Sequence, residues 1–136
     1  MVERDTPPAV RPAIEADLVA VMRLLDAAVL EADASVVSDR IDDDAVLVAL
    51  ADSRIVGTLV LADTHVDAIA VQQERRGRGI GTELVEAAAA SVDGALTADF
   101  DDAVRPFYAS LGFDIETKDD ENSDSDRFDG RLRGTR

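Results

Sequence analysis

The stretch Ala70 to Ser91, AVQQERRGRGIGTELVEAAAAS, decides how this 136-residue chain is read. Arg75, Arg76 and Arg78 are interleaved with Gly77, Gly79 and Gly81, directly before a helical repeat of Ile80, Leu84, Ala87, Ala88 and Ser91. Glycines this dense permit backbone conformations that other residues resist, and without Cβ atoms they let a ligand approach the main chain. A helix N-terminus presents unpaired N–H groups and the positive end of the helix dipole. Loop and helix together form an anion seat suited to phosphate. The basic cluster is local, because 29 acidic residues against 14 basic ones give the chain a formal net charge of -15.

Working outward, the length fits one domain, and a chain of this size buries enough surface for a true core. Hydrophobic residues make up 46% but aromatics only 4%, so small side chains build that core. Residues 1–9 read as a loose tail around a Pro-Pro pair, and residues 10–136 as a single domain with an acidic loop over 117–126. There is no cysteine, which excludes a disulfide or a thiolate metal site. The start lacks the basic flank and apolar core of a signal peptide, and no run is long enough to span a membrane. The expected location is the cytoplasm, with no membrane partner. No basic stripe extends beyond the loop, so no nucleic-acid partner is expected either. Asp42 to Asp44 and Asp119 to Asp126 lack the spacing of a calcium loop and read as a hydrated coat, with no metal. The Asp-rich, lysine-poor composition resembles that of proteins from extreme halophiles.

Before the loop, Asp17 reads as the N-cap of an amphipathic helix over 18–31, carried by Leu18, Val21, Met22, Leu25, Ala28 and Val29. Two Val/Leu/Ile-rich runs flank Asp52 and Ser53 as a hairpin, and Gly57 inside the second run marks a bulge or twist. His65 to Val71 is a further strand, whose alternation puts Val66, Ala68 and Ala70 on one face and His65, Asp67, Ile69 and Val71 on the other. After the loop helix come a strand over 95–100 and a short helix with Pro106 in its first turn. A strand from Phe113 and a last, edge strand over 127–133 complete the pattern. Two strand–helix–strand units predict local parallel pairing beside an antiparallel hairpin, hence a mixed sheet with helices on its faces.

A P-loop would need a lysine that is absent here. A dinucleotide-binding fingerprint needs a different glycine spacing, although Asp99, about 20 residues on at a strand end, keeps that reading open. The stretch instead resembles the signature of the GNAT family of N-acetyltransferases, with Arg76, Gly79 and Gly81 in its Gln/Arg-x-x-Gly-x-Gly/Ala loop. FYASLGF over 107–113 resembles the family's Phe-Tyr-x-x-x-Gly-Phe, a second match in the right order. The resemblance spans roughly residues 10–116, and the two motifs with their spacing are specific.

The resemblance implies an α/β (α+β) fold with a mixed central sheet of about six or seven strands flanked by helices. It implies acetyl-CoA, or another acyl-CoA, as donor cosubstrate. The pyrophosphate would be held by Arg76, Gly77, Arg78, Gly79, Ile80, Gly81 and Thr82, and the pantetheine would lie along Ile69, Ala70 and Val71. A main-chain N–H near Ala70 would polarise the thioester. Tyr108 would protonate the leaving thiolate. His65 falls where relatives keep a catalytic Glu and would serve as base, with Asp67 orienting it or acting in its place. The acceptor would be a small-molecule or peptide amine, and family members are often dimers, for which an edge strand near the C-terminus offers a pairing surface. A non-catalytic acyl-CoA-binding module of the same fold is the alternative, and a small nucleotide-binding protein the remoter one. Asp101 stands where many members carry Asn, and only a brief second helix fits within 31–40.

Overall fold

The two runs that flank Asp52 and Ser53 bury side chains on both faces, as central strands do. The computed structural model describes residues 9–28, 30, 32–73, 79–117 and 127–133. Its strands are β1 (Ala9–Pro12), β2 (Val46–Ala51), β3 (Arg54–Ala62), β4 (His65–Val71), β5 (Ala95–Asp101), β6 (Asp114–Thr117) and β7 (Arg127–Arg133). Its helices are α1 (Leu18–Ala27), α2 (Ala34–Asp42), α3 (Ile80–Ser91) and α4 (Arg105–Ser110). The seven strands form one sheet in the order β1-β2-β3-β4-β5-β7-β6. Every neighbouring pair is antiparallel except β4 and β5. This is the mixed α/β architecture that the sequence predicts. Ala9, assigned to the tail, opens β1. The rest of that tail, and residues 118–126 of the acidic loop, lie outside the described residues.

One core lies under α3 and α4, where Leu59, Leu84, Val85, Leu96 and Phe100 meet. The other lies under α1 and α2, where Val21, Leu25, Val46, Val48 and Val60 meet. Burying a side chain such as Leu84 contributes about 1.5–3 kcal/mol. Gly57 permits the first of these packings. A Cβ there would stand 2.9 Å from Ile80 Cγ2 and 3.1 Å from Leu84 Cδ1, so the missing side chain lets the start of α3 settle on the sheet. The expected irregularity is adjacent: Ala49 pairs with Gly57 but Leu50 with Ile55, which leaves Val56 as a bulge.

Several expectations are corrected. The final strand, β7, is not at the edge. It lies between β5 and the four-residue β6, because Phe128 and Leu132 pack on the core that Ile115 also meets. Only β4–α3–β5 therefore gives parallel neighbours, since β7 separates β5 from β6. Helix α1 ends at Ala27 rather than 31, where Leu30 N–H bonds the Leu25 carbonyl in the six-to-one closure that stops helices. Asp17 precedes α1 but makes no cap. Its carboxylate turns back and accepts from Arg11 at 2.8 Å and from Ile14 N–H at 2.8 Å.

The faces of β4 also differ from strict alternation. Val60 pairs with Ala68 and Leu61 with Val66, so Asp67 is an extra residue, a second bulge. Val66, Ile69 and Val71 consequently share the α3 core, while Ala68 and Ala70 share the α1–α2 core.

Candidate active site

The parallel pair β4–β5 meets in register at one place, His65 opposite Thr97, braced by Thr97 N–H on the Thr64 carbonyl at 2.9 Å. Beyond it both strands run on, to Val71 and to Asp101, without a paired register. A gap therefore opens in the sheet toward Val71 and Asp101. Gln72 N–H bonds the Val56 carbonyl, and Val71 lies opposite Gly57. The alternation of an antiparallel ladder then directs Ala70 N–H to β3 and those of Ile69 and Val71 to the β5 side.

At the head of α3, Gly79 is the N-cap with φ +84, a conformation that L side chains rarely adopt. Glu83 N–H closes the first helical bond onto Gly79, and no side chain caps the helix. The N–H groups of Ile80, Gly81 and Thr82 are thus without helical acceptors. Arg76, Gly77 and Arg78, the rest of the anticipated anion seat, lie outside the described residues.

Tyr108 enters from α4 and is only 4% exposed. Its ring stacks on Phe100 with centroids 4.2 Å apart, and Phe107 and Phe113 meet it edge-on at 5.0 and 5.1 Å. Burial first, and the negative charge of Asp99 second, push its phenol up to about 12. A phenol so placed stays protonated at neutral pH, as a proton donor must.

His65 is held at both ring nitrogens. Nδ1 lies 2.8 Å from Thr97 Oγ1, and Nε2 lies 3.2 Å from Asp99 Oδ1. Asp67, the anticipated orienting group, is on the bulge and faces Arg40, whose Nη1 is 3.6 Å from its carboxylate and also donates to the Leu61 carbonyl at 2.8 Å. The bulge turns Asp67 out of the His65 row, so a β5 carboxylate takes the place assigned to it. No group of three or more His, Cys, Asp or Glu able to hold a metal occurs among the described residues. No helix among them is long and apolar enough to cross a membrane.

Residues 42–115, more than half of the chain, match the model of the acetyltransferase (GNAT) domain. The chain belongs to the GNAT acetyltransferase family. No curated protein matches it by sequence. Solved GNAT structures share its fold. A GNAT acetyltransferase from Bacillus cereus is 16% identical with a TM-score of 0.80, over 96% of this chain and 100% of that one. The yncA protein of Salmonella typhimurium, solved with its cofactor acetyl-CoA, is 17% identical with a TM-score of 0.73, over 94% of both chains. The ribosomal-protein-S18-alanine N-acetyltransferase of Escherichia coli is 14% identical with a TM-score of 0.72, over 95% of both.

In this GNAT domain the structure brings His65, Ile69, Ala70, Val71 and the Asp99 that influences Tyr108 to one parallel strand pair and its gap. Gly79, Ile80, Gly81 and Thr82 stand at the head of the helix that follows β4. Sequence reasoning missed Thr97, and it weighed Asp99 only within the dinucleotide-binding reading. The signal was available in the alternation of β5: Leu96, Ala98 and Phe100 are buried, so Thr97 and Asp99 share the opposite face.

Proposed function

We propose that this chain is an N-acetyltransferase that moves an acetyl group from acetyl-CoA to a primary amine of a small molecule or peptide. The observation that carries the reading is the gap between β4 and β5, with His65 at its closed end and the protonated Tyr108 phenol within the field of Asp99. Acetyl-CoA would supply the activated acyl thioester. The main-chain N–H of Ile69 faces the gap and can bind the pantetheine arm or the thioester carbonyl. The pyrophosphate would rest on Gly79 to Thr82 together with Arg76, Gly77 and Arg78.

The chemistry needs no nucleophile from the protein. The amine nitrogen attacks the thioester carbonyl carbon and the C–S bond breaks. The amine proton goes to His65, and the departing thiolate takes the Tyr108 proton. Calorimetry with acetyl-CoA, followed by a panel of amines assayed for thiol release and acetylated product, tests this. Stoichiometric binding with transfer to at least one amine is expected. Binding without transfer to any amine would leave an acyl-CoA-binding module, and the absence of binding would remove the donor assignment altogether.

A further inference from the structure

We propose that Asp99 is a positioning residue for His65, fixing the tautomer with its proton on Nε2, so that the amine proton reaches Nδ1 through the Thr97 hydroxyl. The inference rests on the acetyltransferase reading and deepens it. A carboxylate only accepts hydrogen bonds, so the 3.2 Å contact to Asp99 Oδ1 requires the proton on Nε2. In the neutral ring the single basic lone pair is then on Nδ1, and it is directed at Thr97 Oγ1, 2.8 Å away. The Thr97 hydroxyl donates to it.

As the amine attacks, its N–H proton passes to Thr97 Oγ1 while the Thr97 hydroxyl proton passes to Nδ1. Threonine is regenerated and the ring becomes an imidazolium beside the Asp99 carboxylate. Because the His65 side chain is 41% exposed, the ring can return that proton to solvent. The parallel register sets this alignment: His65 stands opposite Thr97, and Asp99 follows two residues on along the same face of β5. Asp99 also stands between the two halves of the chemistry. The charge that would hold the imidazolium is the one that helps keep the Tyr108 phenol protonated. Arg40 occupies Asp67, the carboxylate on β4.

His65 is the only histidine in the chain, so its ring nitrogens give one set of resonances. Long-range 15N–1H spectra of the neutral ring, recorded without substrate, are expected to show the Nε2–H tautomer. Asp99→Asn is expected to shift the population toward Nδ1–H, because an amide can donate to Nε2. With acetyl-CoA and the best amine of the panel, Asp99→Asn and Thr97→Val should lose ~10²-fold or more in kcat. Their KM for acetyl-CoA should stay within about twofold, and Thr97→Ser should retain most of the rate. An Nδ1–H tautomer in the unaltered protein overturns the proposal, and so does full kcat in Thr97→Val. An unaltered protein that binds acetyl-CoA but acetylates no amine overturns the transferase reading and the relay with it. The Nδ1–H tautomer in an active enzyme overturns the relay alone.

Discussion

The sheet has two halves that meet at His65 and Thr97, and they are built for different purposes. Strands β2 to β4 carry apolar side chains on both faces, with α1 and α2 packed on one side and α3 on the other. Strands β5, β7 and β6 are apolar on one face only. Phe100, Phe128, Leu132 and Ile115 join the core, while Thr97, Asp99, Asp129, Arg131, Asp114 and Glu116 project from the opposite face. The first half supplies burial and therefore stability. The second keeps titratable groups in reach of water. Substitutions in the first half should change unfolding, and those in the second should change turnover.

The sharpest way to break that division is Tyr108→Phe. Rings of the same shape preserve the stack on Phe100 and both edge contacts. No hydrogen bond to the phenol is found among the described residues, so its removal should leave the melting temperature unchanged or slightly higher. Turnover with acetyl-CoA and an amine should fall by ~10²-fold or more. Because burial pushes the phenol up to about 12, the parent enzyme should lose no activity to its ionisation as pH rises to 10. A variant that melts far lower would make Tyr108 a structural residue.

Next in size is Gly57→Val, on the other side of the division. The added side chain comes closer to Ile80 than real contacts do and presses tightly on Leu84, so these α3 side chains or the helix itself must shift. Overpacking of this kind costs about 1–3 kcal/mol, or several degrees in thermal unfolding. Since α3 begins at the anion seat, affinity for acetyl-CoA should weaken as well. Unchanged unfolding would mean that α3 is not held by this contact.

Asp17→Asn probes the same half through charge. The Arg11 hydrogen bond, aided by Ile14 N–H, holds the Asp17 carboxyl below its ordinary 3.8 against the opposing effect of burial. A carboxyl whose folded value is depressed stabilises fully above its unfolded value and loses that contribution as pH falls through the folded one. Near pH 7 the variant should be less stable by about 1–2 kcal/mol, and the deficit should shrink below pH 4. Denaturant unfolding at both pH values measures it, and a deficit independent of pH would assign the loss to shape rather than charge.

How much of this was legible in the sequence follows the same boundary. The hairpin, β4 and α3 were readable because apolar periodicity reports burial, and both halves bury at least one face. The glycine–arginine loop and the Phe-Tyr motif carried the family, because a tight approach to a ligand needs particular residues. The insertion of β7 between β5 and β6 was not readable, since strand order depends on which edge a returning chain meets. Nor was the Asp67 bulge. A single extra residue leaves no mark in the periodicity, yet it turns Asp67 toward Arg40 and leaves His65 to Asp99. Pairing across parallel strands joins residues 32 and 34 positions apart, beyond any local pattern.

The smallest effect is the one most specific to the polar half. Asp129 on β7 lies directly opposite Asp99 on β5 and opposite Glu116 on β6, so three carboxylates form a row across one face. Like charges at directly opposed positions destabilise a sheet. Asp129→Asn should therefore raise stability, by roughly 0.2–1 kcal/mol at low ionic strength. The gain should fade as salt is added, because the Debye length contracts from about 10 Å at 0.1 M to about 3 Å at 1 M. Melting curves of both proteins across that salt range would show two lines that converge. If the row is instead retained because it steers a cationic acceptor toward His65, the same variant should lose kcat/KM for amines at low salt while its kcat holds. Parallel melting curves with unchanged kinetics would mean that the row contributes to neither, and the acidic face of β5, β7 and β6 would reduce to a hydrated surface.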